Sequence, residues 1–240
     1  MKKQMLYHEL AKYYDLIYFW KDYKKDTIKI KKFISKYKKS GGKELLDVAC
    51  GTGQHLKYLK NNFSCTGVDV NKEMLKVARK NVKDVVFKNA NMVNFYINKK
   101  FDIIMCLFSS IGYVKTYSNL RKTIKNFAKH LKKGGVIIIE PWFTKSVFNH
   151  RHLYLDTYNK DDIKIVRMNL SKIRNNISVL NFHYLIGKNG KSIIHFKDKH
   201  ELGLFDINKT LKFMNEADFK AKFLRNGLKR DRGLFIGIKR

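Results

Sequence analysis

The segment Glu44–Gly53, with the sequence ELLDVACGTG, constrains the fold of this chain more than any other feature. A short apolar run that is followed at once by Gly51 and Gly53 is typical of a buried strand that turns sharply into a helix. Glycine lets the backbone turn and approach a ligand, because no Cβ stands in the way. The GTG pattern alone is weak evidence, since an ordinary tight turn gives the same letters and the GxGxxG of dinucleotide binders is not completed.

Strand and helix patterns alternate on both sides of this segment. Short apolar runs predict strands at Leu45–Cys50, Ser64–Val70, Val85–Lys88, Phe101–Phe108 and Val136–Glu140. Apolar residues at helical spacing predict helices at Gln54–Asn61, Lys72–Asn81 and Ser118–Lys132. Because strands joined by helices need right-handed crossovers, the alternation predicts a parallel sheet and an α/β fold.

The amino-terminal residues show only helical patterns. Apolar side chains at helical spacing predict one helix between Leu6 and Ile17 and a second at about Tyr23–Tyr37, which Gly41 and Gly42 end. The buried face of the second helix is expected to contain Ile28, Ile30, Phe33 and Ile34.

Extended segments follow Pro141, which is the only proline of the chain. They lie at Ile163–Ser171, Ile177–Ile186 and Ser192–Phe205. The pair Asn189-Gly190 is a strong hairpin signal, because both residues tolerate positive φ. An antiparallel sheet is therefore expected after the fifth strand. A helix at about Asn208–Glu216 and strands at about Phe219–Arg225 and Leu234–Ile238 finish the pattern.

The second predicted strand ends near Asp69, in the sequence GVD. A carboxylate at the tip of that strand can accept both ribose hydroxyls of an adenosine. The alternative is that Asp69 only caps the helix that starts at Lys72. The combination of LDVACGTG, a helix and GVD resembles motif I and the acidic position after it in class I methyltransferases that use S-adenosylmethionine.

Other segments narrow the resemblance. The sequences CLFSSIGYV (Cys106–Val114), FAKHLKKGGVIIIEPWF (Phe127–Phe143) and RGLFIGI (Arg232–Ile238) are similar to those of N,N-dimethyltransferases that act on nucleotide-linked 3-aminodeoxysugars, as in the desosamine and mycaminose pathways. The amino-terminal ELAKYYDLIY and KDY are similar too. The match covers nearly the whole chain. It implies a Rossmann-like sheet with an antiparallel insertion, S-adenosylmethionine as cofactor, a dTDP-linked aminosugar as substrate, and a homodimer.

The resemblance also implies one domain over residues 1–240. Residues 1–40 would form a helical lid, residues 41–140 the cofactor-binding core, residues 141–205 a substrate cover and residues 206–240 the final helix and strands. Tyr14 and Lys21 would close over the cofactor. The other implied cofactor contacts are Asp47, Ala49, Gly51, Gly53, Asp69, Val70, Met74, Asn91, Met92 and Leu107.

Asn91 departs from the family, which has Asp there. An amide oxygen can still accept a hydrogen bond from the adenine amino group. The alternative role of Asn91 is that of a turn residue.

The resemblance implies substrate contacts from Ser109, Ser110, Trp142, Arg167, His200 and Arg232. Arginine suits a pyrophosphate, because its planar fork binds oxyanions in a bidentate way. The alternatives are core packing for Trp142 and solvated surface charges for Arg167 and Arg232.

The family has His where this chain has Tyr113, and Tyr7 and Tyr113 are the candidate catalytic residues. Tyrosine is a poor base near neutrality because its ordinary pKa is about 10. Three interpretations remain open: that no strong base is used, that Tyr7 and Tyr113 orient the amine, or that the acceptor differs.

Charge suggests a competing function. The 240 residues include 51 Lys and Arg against 20 Asp and Glu, which gives a formal net charge of +31. Such a surplus attracts polyanions, so an RNA methyltransferase is an alternative. The lysines are spread along the whole chain, however, which is typical of solvated surface charge, and binding to nucleic acid is not expected. A methyltransferase of another small amine or acid, and a non-enzymatic cofactor-binding protein, also remain alternatives.

Cysteine content and hydropathy indicate the cellular setting. Cys50, Cys65 and Cys106 show no CxxC spacing and lie in apolar runs, so we expect small core residues and neither a disulfide nor a metal site. The amino-terminal sequence has no apolar stretch after its lysines, and no run approaches the ~20 apolar residues of a membrane span. A cytoplasmic enzyme without a membrane partner is expected.

Overall fold

A central sheet with helices on both faces organises the computed structural model, which describes residues 4–160, 162–229 and 231–240. The helices are α1 (Tyr14–Ile17), α2 (Tyr23–Tyr37), α3 (Gln54–Leu59), α4 (Lys72–Asn81), α5 (Tyr117–His130) and α6 (Ile207–Glu216). The strands are β1 (Glu44–Val48), β2 (Ser64–Asp69), β3 (Val86–Asn89), β4 (Phe101–Cys106), β5 (Leu131–Ile139), β6 (Leu153–Lys160), β7 (Ile163–Arg174), β8 (Ile177–Lys188), β9 (Ile194–Gly203), β10 (Phe219–Leu224) and β11 (Leu234–Lys239). Single 3₁₀ turns lie at Met5–Tyr7, Ala11–Tyr13 and Ser110–Val114.

The central sheet has the strand order β3-β2-β1-β4-β5-β11-β10. The first five strands of that order are parallel, and β11 is antiparallel to both of its neighbours. The predicted α/β fold, with a parallel sheet and an antiparallel insertion after the fifth strand, is confirmed. Helices on both faces explain why β4 and β5 contain uninterrupted apolar runs.

Successive residues of the central strands enter two different cores. Leu46 and Ile104 pack with α5 and α6 on one face of the sheet, whereas Leu45 and Ile103 pack with α2 and α3 on the other. The three cysteines are free and buried, as expected of small core residues. No helix of the described residues is long and apolar enough to cross a membrane.

A four-stranded antiparallel sheet, in the order β6-β7-β8-β9, forms the insertion. Its inner face packs against the amino-terminal turns, where Leu6, Leu10 and Ile17 are buried with Ile165 and Tyr184. The strand β6 is absent from the sequence prediction. It is an edge strand with almost every residue exposed, so its sequence has little of the alternation that marks a half-buried strand.

The amino-terminal pattern was interpreted as one helix, and this interpretation is only partly right. Two 3₁₀ turns precede a single helical turn at α1. Contacts with distant parts of the chain set this path: the Leu6 amide donates to Asp198 (2.8 Å) and the Asn71 side chain donates to His8 (2.9 Å). Local spacing carries no sign of such partners.

Three smaller expectations also need correction. Helix α2 spans Tyr23–Tyr37 as predicted, but Gly41 and Gly42 lie beyond its end and do not terminate it, because Lys38 is already extended. Ile28 on its expected buried face is 47% exposed. The loop between β8 and β9 has positive φ at Gly190 and not at Asn189. Asn189 instead forms hydrogen bonds to Asp162 through its backbone amide (3.0 Å) and its side chain (3.1 Å), which fixes its conformation.

A buried carboxylate packs beside Gly42 at the amino-terminal end of β4. Asp102 in β4 is fully buried and accepts hydrogen bonds from the Glu44 amide (3.1 Å) and the Lys132 side chain (2.9 Å). A Cβ added at Gly42 would lie 2.2 Å from the Asp102 Oδ2, whereas one added at Gly41 would meet nothing within 4 Å. The space at Gly42 is therefore already filled.

We predict that Gly42→Ala lowers the free energy of unfolding by about 1–3 kcal/mol, because the new methyl group forces apart a packed carboxylate and its partners. Gly41→Ala is the matched control and should leave stability unchanged or slightly raised. Urea denaturation of both variants measures the difference. Equal midpoints for the two variants would contradict the packing described here.

Candidate active site

The loop between β1 and α3 is a left-handed turn. Ala49, Gly51 and Gly53 have φ values of 59°, 56° and 78°, in the region that favours glycine. The turn places backbone with little side-chain cover at the carboxyl edge of the parallel strands. Open α/β sheets bind their ligands at this edge.

Asp69 connects this loop to the end of β2. Its carboxylate accepts hydrogen bonds from the backbone amides of Gly51 (2.9 Å) and Asn71 (2.8 Å). Burial raises the pKa of Asp69, and these backbone hydrogen bonds act against the rise. The helix cap of α4 is the Asn71 side chain, so the interpretation of Asp69 as a mere cap is wrong.

Two buried carboxylate oxygens along the same edge have no hydrogen-bond partner among the described residues. They belong to Asp47 in β1 and to Glu140, which follows β5. Burial raises the pKa of Asp47, and the nearby Asp69 adds to the rise. The other oxygen of Glu140 accepts from the Phe108 amide (2.7 Å). Buried acceptors without partners fit a ligand that brings its own donors, such as the ammonium group of an amino acid.

Asp15 holds the amino-terminal segment against the glycine loop. Its carboxylate accepts hydrogen bonds from Thr52 (2.7 Å), Gln54 (2.7 Å) and Asn81 (3.1 Å). Sequence analysis missed both Asp15 and Glu140. Asp15 lies inside the YYDLIY segment and Glu140 ends an apolar run, so their positions were visible in the sequence although their partners were not.

Tyr14 and Lys21 lie in the same segment, and both are buried. The Lys21 ammonium forms an ion pair with Asp26 (2.5 Å) and lies 4.5 Å from the centre of the Phe108 ring. Burial alone would raise the pKa of Asp26, but the neighbouring His55 and the charge of Lys21 lower it to about 2. The Lys21 ammonium therefore lies against Phe108, just after β4, while its positive charge is paired with Asp26.

The turn after β4 is strained and joins three parts of the chain. Phe108 and Ser109 both have positive φ, at 49° and 62°. Such conformations in residues other than glycine cluster at functional sites. The Ser109 hydroxyl donates to the Pro141 carbonyl (2.8 Å) and accepts from the Arg232 guanidinium (2.9 Å).

Arg232 and Trp142 are in contact. The guanidinium lies 5.1 Å from the Trp142 ring, and the side chain of Arg232 is only 13% exposed. Among the described residues its Nε is buried without a hydrogen bond and lies 3.8 Å from the Asp231 carboxylate, so the interpretation of Arg232 as a solvated surface charge is wrong. Trp142 is half-buried and donates to Ser178 (2.8 Å). Burial and the charges of Arg232 and Lys21 lower the pKa of the nearby Lys229, and the charges of Glu140 and Asp231 act against this shift.

Arg167 lies in a different environment, on β7. Its side chain is 11% exposed and forms an ion pair with Asp156 on β6. The guanidinium lies 5.0 Å from the Tyr18 ring and 5.6 Å from the Phe182 ring. Arg167 is therefore not a solvated surface charge either, and its contacts are separate from those of Arg232.

A chain of hydrogen bonds joins the two candidate catalytic residues to His200. The hydroxyls of Tyr7 and Tyr113 are 2.7 Å apart, and the Tyr113 hydroxyl lies 2.6 Å from the His200 Nδ1. The His200 Nε2 lies 2.9 Å from Asp198. Asp198 was not predicted, although it lies two residues before His200 on the same face of β9.

The remaining predicted residues line the ends of β2 and β4 and the segment after β3. Val70 is 63% exposed, while Met74 and Leu107 are buried. Asn91 is a turn residue, since its side-chain oxygen accepts from the Val93 amide (3.0 Å). Met92 and Ser110 are half-buried.

Comparison with known proteins identifies the family. Residues 45–135 match the family model described as a methyltransferase domain. The chain is 32% identical over 239 residues to the dTDP-3-amino-3,4,6-trideoxy-alpha-D-glucopyranose N,N-dimethyltransferase of Streptomyces venezuelae, covering 95% of this chain and 97% of that protein. It is 28% identical over 233 residues to the dTDP-3-amino-3,6-dideoxy-alpha-D-glucopyranose N,N-dimethyltransferase of Streptomyces fradiae, covering 96% and 91%.

Solved structures give the same result. The crystal structure of Streptomyces venezuelae DesVI superposes with a TM-score of 0.91 at 31% identity, and the match covers 96% of this chain and 98% of that one. A sugar N-methyltransferase from Streptoalloteichus superposes with a TM-score of 0.87 at 30% identity, covering 95% and 92%. These similarities extend over the central sheet and the antiparallel insertion alike. The chain belongs to the class I methyltransferases that use S-adenosylmethionine as cofactor.

Proposed function

We propose that this enzyme transfers a methyl group from S-adenosylmethionine to the amino group of a dTDP-linked aminodeoxysugar. One observation carries the proposal: similarity to the Streptomyces venezuelae sugar N,N-dimethyltransferase covers 95% of this chain at 32% identity. A match limited to the cofactor-binding strands would support only the family. Here the matching region includes the insertion and the carboxyl-terminal loop, which supply most of the proposed substrate contacts.

The proposed cofactor site lies at the carboxyl edge of β1, β2 and β4. The backbone of Ala49, Gly51 and Gly53 would approach the cofactor, and Asp69 would accept the ribose hydroxyls. The unpaired oxygens of Asp47 and Glu140 suit the ammonium of the methionyl part. Tyr14 and Lys21 would cover that part, and the adenine would lie among Val70, Met74, Asn91, Met92 and Leu107. In this assignment the Asn91 side-chain oxygen accepts from the adenine amino group, since it has a second lone pair beside the one that accepts from the Val93 amide.

The proposed substrate site lies beyond the strained turn after β4. Ser109 and Ser110 would contact the sugar, and Trp142 would pack against it or against the base. Arg232, beside Lys229, suits the diphosphate because clustered cations attract an anion of high charge. Arg167 would contribute from β7, and His200 would act through Tyr113.

The chemistry needs little from the protein beyond placement. The bound cofactor supplies an activated methyl group, and the residues above must hold a neutral amine in line with the bond between sulfur and that methyl. Orientation of this kind can supply about 7–11 kcal/mol of barrier lowering. Tyr7 and Tyr113 lie where they could orient the amine. Three free thiols fit a reducing compartment, so the proposal includes a cytoplasmic enzyme.

We also propose that the enzyme is a homodimer that associates through the outer face of the antiparallel sheet. Cross-strand neighbours on that face are apolar: Leu153 pairs with Leu170, and Leu155 pairs with Met168. Their exposed fractions are 57%, 51%, 58% and 38%. A contiguous exposed apolar patch of this kind supports a protein interface.

The substrate assignment predicts methylation of at least one member of a panel of dTDP-linked aminodeoxysugars. The panel should vary the carbon that carries the amine, and product mass reports whether one or two methyl groups are added. Glycine, sarcosine and bulk RNA serve as comparison acceptors. Methylation of RNA, with none of any sugar nucleotide, would reverse the assignment.

The ribose assignment predicts that Asp69→Ala weakens the binding of S-adenosylhomocysteine by about 1–3 kcal/mol, because hydrogen bonds to a carboxylate are lost. Calorimetry measures the affinity. Asp84→Asn is the control, since it removes a carboxylate that is 86% exposed and paired only with Lys60. Unchanged affinity in Asp69→Ala, with the protein folded, would remove Asp69 from the cofactor site.

The dimer assignment predicts that Leu170→Asp produces a monomer in light scattering coupled to gel filtration, because a charge would be buried in the interface. Ile28→Asp on α2 is the matched control, with a similar exposed fraction of 47%. A dimeric Leu170→Asp variant, or a monomeric wild type, would contradict the proposed interface.

A further inference from the structure

An unbroken line of hydrogen bonds, which we name the Tyr–His–Asp chain, runs from the proposed substrate site, called the cleft below, into the insertion. It comprises Tyr7, Tyr113, His200 and Asp198, with successive polar atoms 2.7, 2.6 and 2.9 Å apart. The two tyrosines are half-buried, whereas His200 is 2% exposed and Asp198 is 7% exposed. A group bound in the cleft therefore reaches the imidazole only through a tyrosine hydroxyl.

The partners of Asp198 fix the direction of these hydrogen bonds. Its carboxylate also accepts from the backbone amides of Leu6 (2.8 Å) and Lys199 (2.8 Å). Burial alone would raise the pKa of Asp198, but the hydrogen bond from His200 and those backbone amides hold it below its usual value. An ionised Asp198 accepts the proton of the His200 Nε2. The Nδ1 is then free of a proton and accepts from the Tyr113 hydroxyl.

Burial raises the pKa values of both tyrosines well above their ordinary value, and the neighbouring hydroxyls add to the shift at Tyr7. Neither is ionised near neutrality. Tyr113 can nevertheless pass a proton on, because its oxygen has a lone pair for an incoming proton while its own proton already points at His200. Histidine is the side chain whose ordinary pKa suits a base near neutral pH.

We propose that Tyr113 and His200 together accept the proton that the aminosugar must lose before each methyl transfer, and that Asp198 positions His200. This inference rests on the proposed function. The N–H bond of the substrate ammonium breaks, its proton joins the Tyr113 oxygen, and the Tyr113 proton moves to the His200 Nδ1. The products are a neutral amine, a neutral tyrosine and an imidazolium that is paired with Asp198.

The amine lone pair then forms the N–CH₃ bond, and the electrons of the S–CH₃ bond pass to sulfur. The imidazolium returns its proton to water through Tyr113 and Tyr7 when the product leaves. A second methylation repeats the same steps.

The test compares kcat/KM across pH for the dTDP-aminosugar that the wild type methylates. The titratable groups that face the His200 ring are Tyr7, Tyr113 and Asp198, with Phe182 covering it from β8. Tyr113→Phe and His200→Gln should each lower kcat/KM at pH 7 by about 10²-fold. The double variant should be no worse than the poorer single variant, because both interrupt one path.

The deficit should shrink as pH rises, since more of the free aminosugar is then neutral. Tyr113→His should recover activity, and His150→Gln, which changes an exposed histidine, should behave as the wild type. Affinity for S-adenosylhomocysteine should stay within about threefold in every variant. Losses that multiply in the double variant, or a deficit that is equal at all pH values, would overturn the proposal. If His200→Gln does not fold, the pH profile of Tyr113→Phe decides.

A spectroscopic measurement separates this inference from the proposed function. A wild type that methylates no sugar nucleotide would refute the proposed function. Long-range ¹H–¹⁵N spectra of the resting enzyme still report the tautomer of His200. We expect the proton on Nε2, and a displaced Nδ1 resonance in Tyr113→Phe because that nitrogen loses its hydrogen-bond donor. A proton on Nδ1, or an unchanged Nδ1 resonance, would refute the Tyr–His–Asp chain whatever the substrate is.

Discussion

The carboxylate of Asp15 holds the amino-terminal segment on the glycine loop, and both halves of the proposed site depend on this contact. Thr52 and Gln54 donate to it from the loop, so the segment and the loop share one set of hydrogen bonds. Further along the segment, the Leu6 amide donates to Asp198 in the insertion. A stretch of irregular chain thereby joins the parallel core to the antiparallel sheet, and its apolar side chains fill the space between them.

The parallel core could be predicted because its signals are local. Helix α4 was predicted with its observed ends, since Asn71 caps a strongly amphipathic stretch. Strand β6 could not be predicted, because an exposed edge strand shows neither a buried run nor clear alternation. The path of residues 4–17 could not be predicted either. Its spacing fits a helix, but hydrogen bonds to Asp198 and Asn71 bend the chain into separate turns.

The residues of the candidate site also fall into two groups, those with a local sequence signal and those without one. Gly51, Gly53 and Asp69 have a local signature, and the family resemblance supplied Tyr7, Tyr113 and His200 without their mutual contacts. Asp15 and Glu140 were missed because their hydrogen-bond partners lie in other segments of the chain. Asp198 was missed although His200 lies only two residues away on the same strand face; its other partner, the Leu6 amide, lies 192 residues away. The surface-charge alternative for Arg167 and Arg232 failed for a related reason, since burial is decided by aromatic rings from other segments.

The double attachment of the amino-terminal segment links two events that would otherwise be independent. Releasing the segment from the glycine loop, as the exchange of a covered cofactor requires, also disturbs the amide that helps to orient Asp198. On the proposed assignment, the methyl donor is enclosed and the proton acceptor is assembled in a single closure. Selectivity among methyl-accepting substrates then depends partly on whether a bound molecule allows the segment to close, as in induced fit. Contacts with the sugar are not its only source.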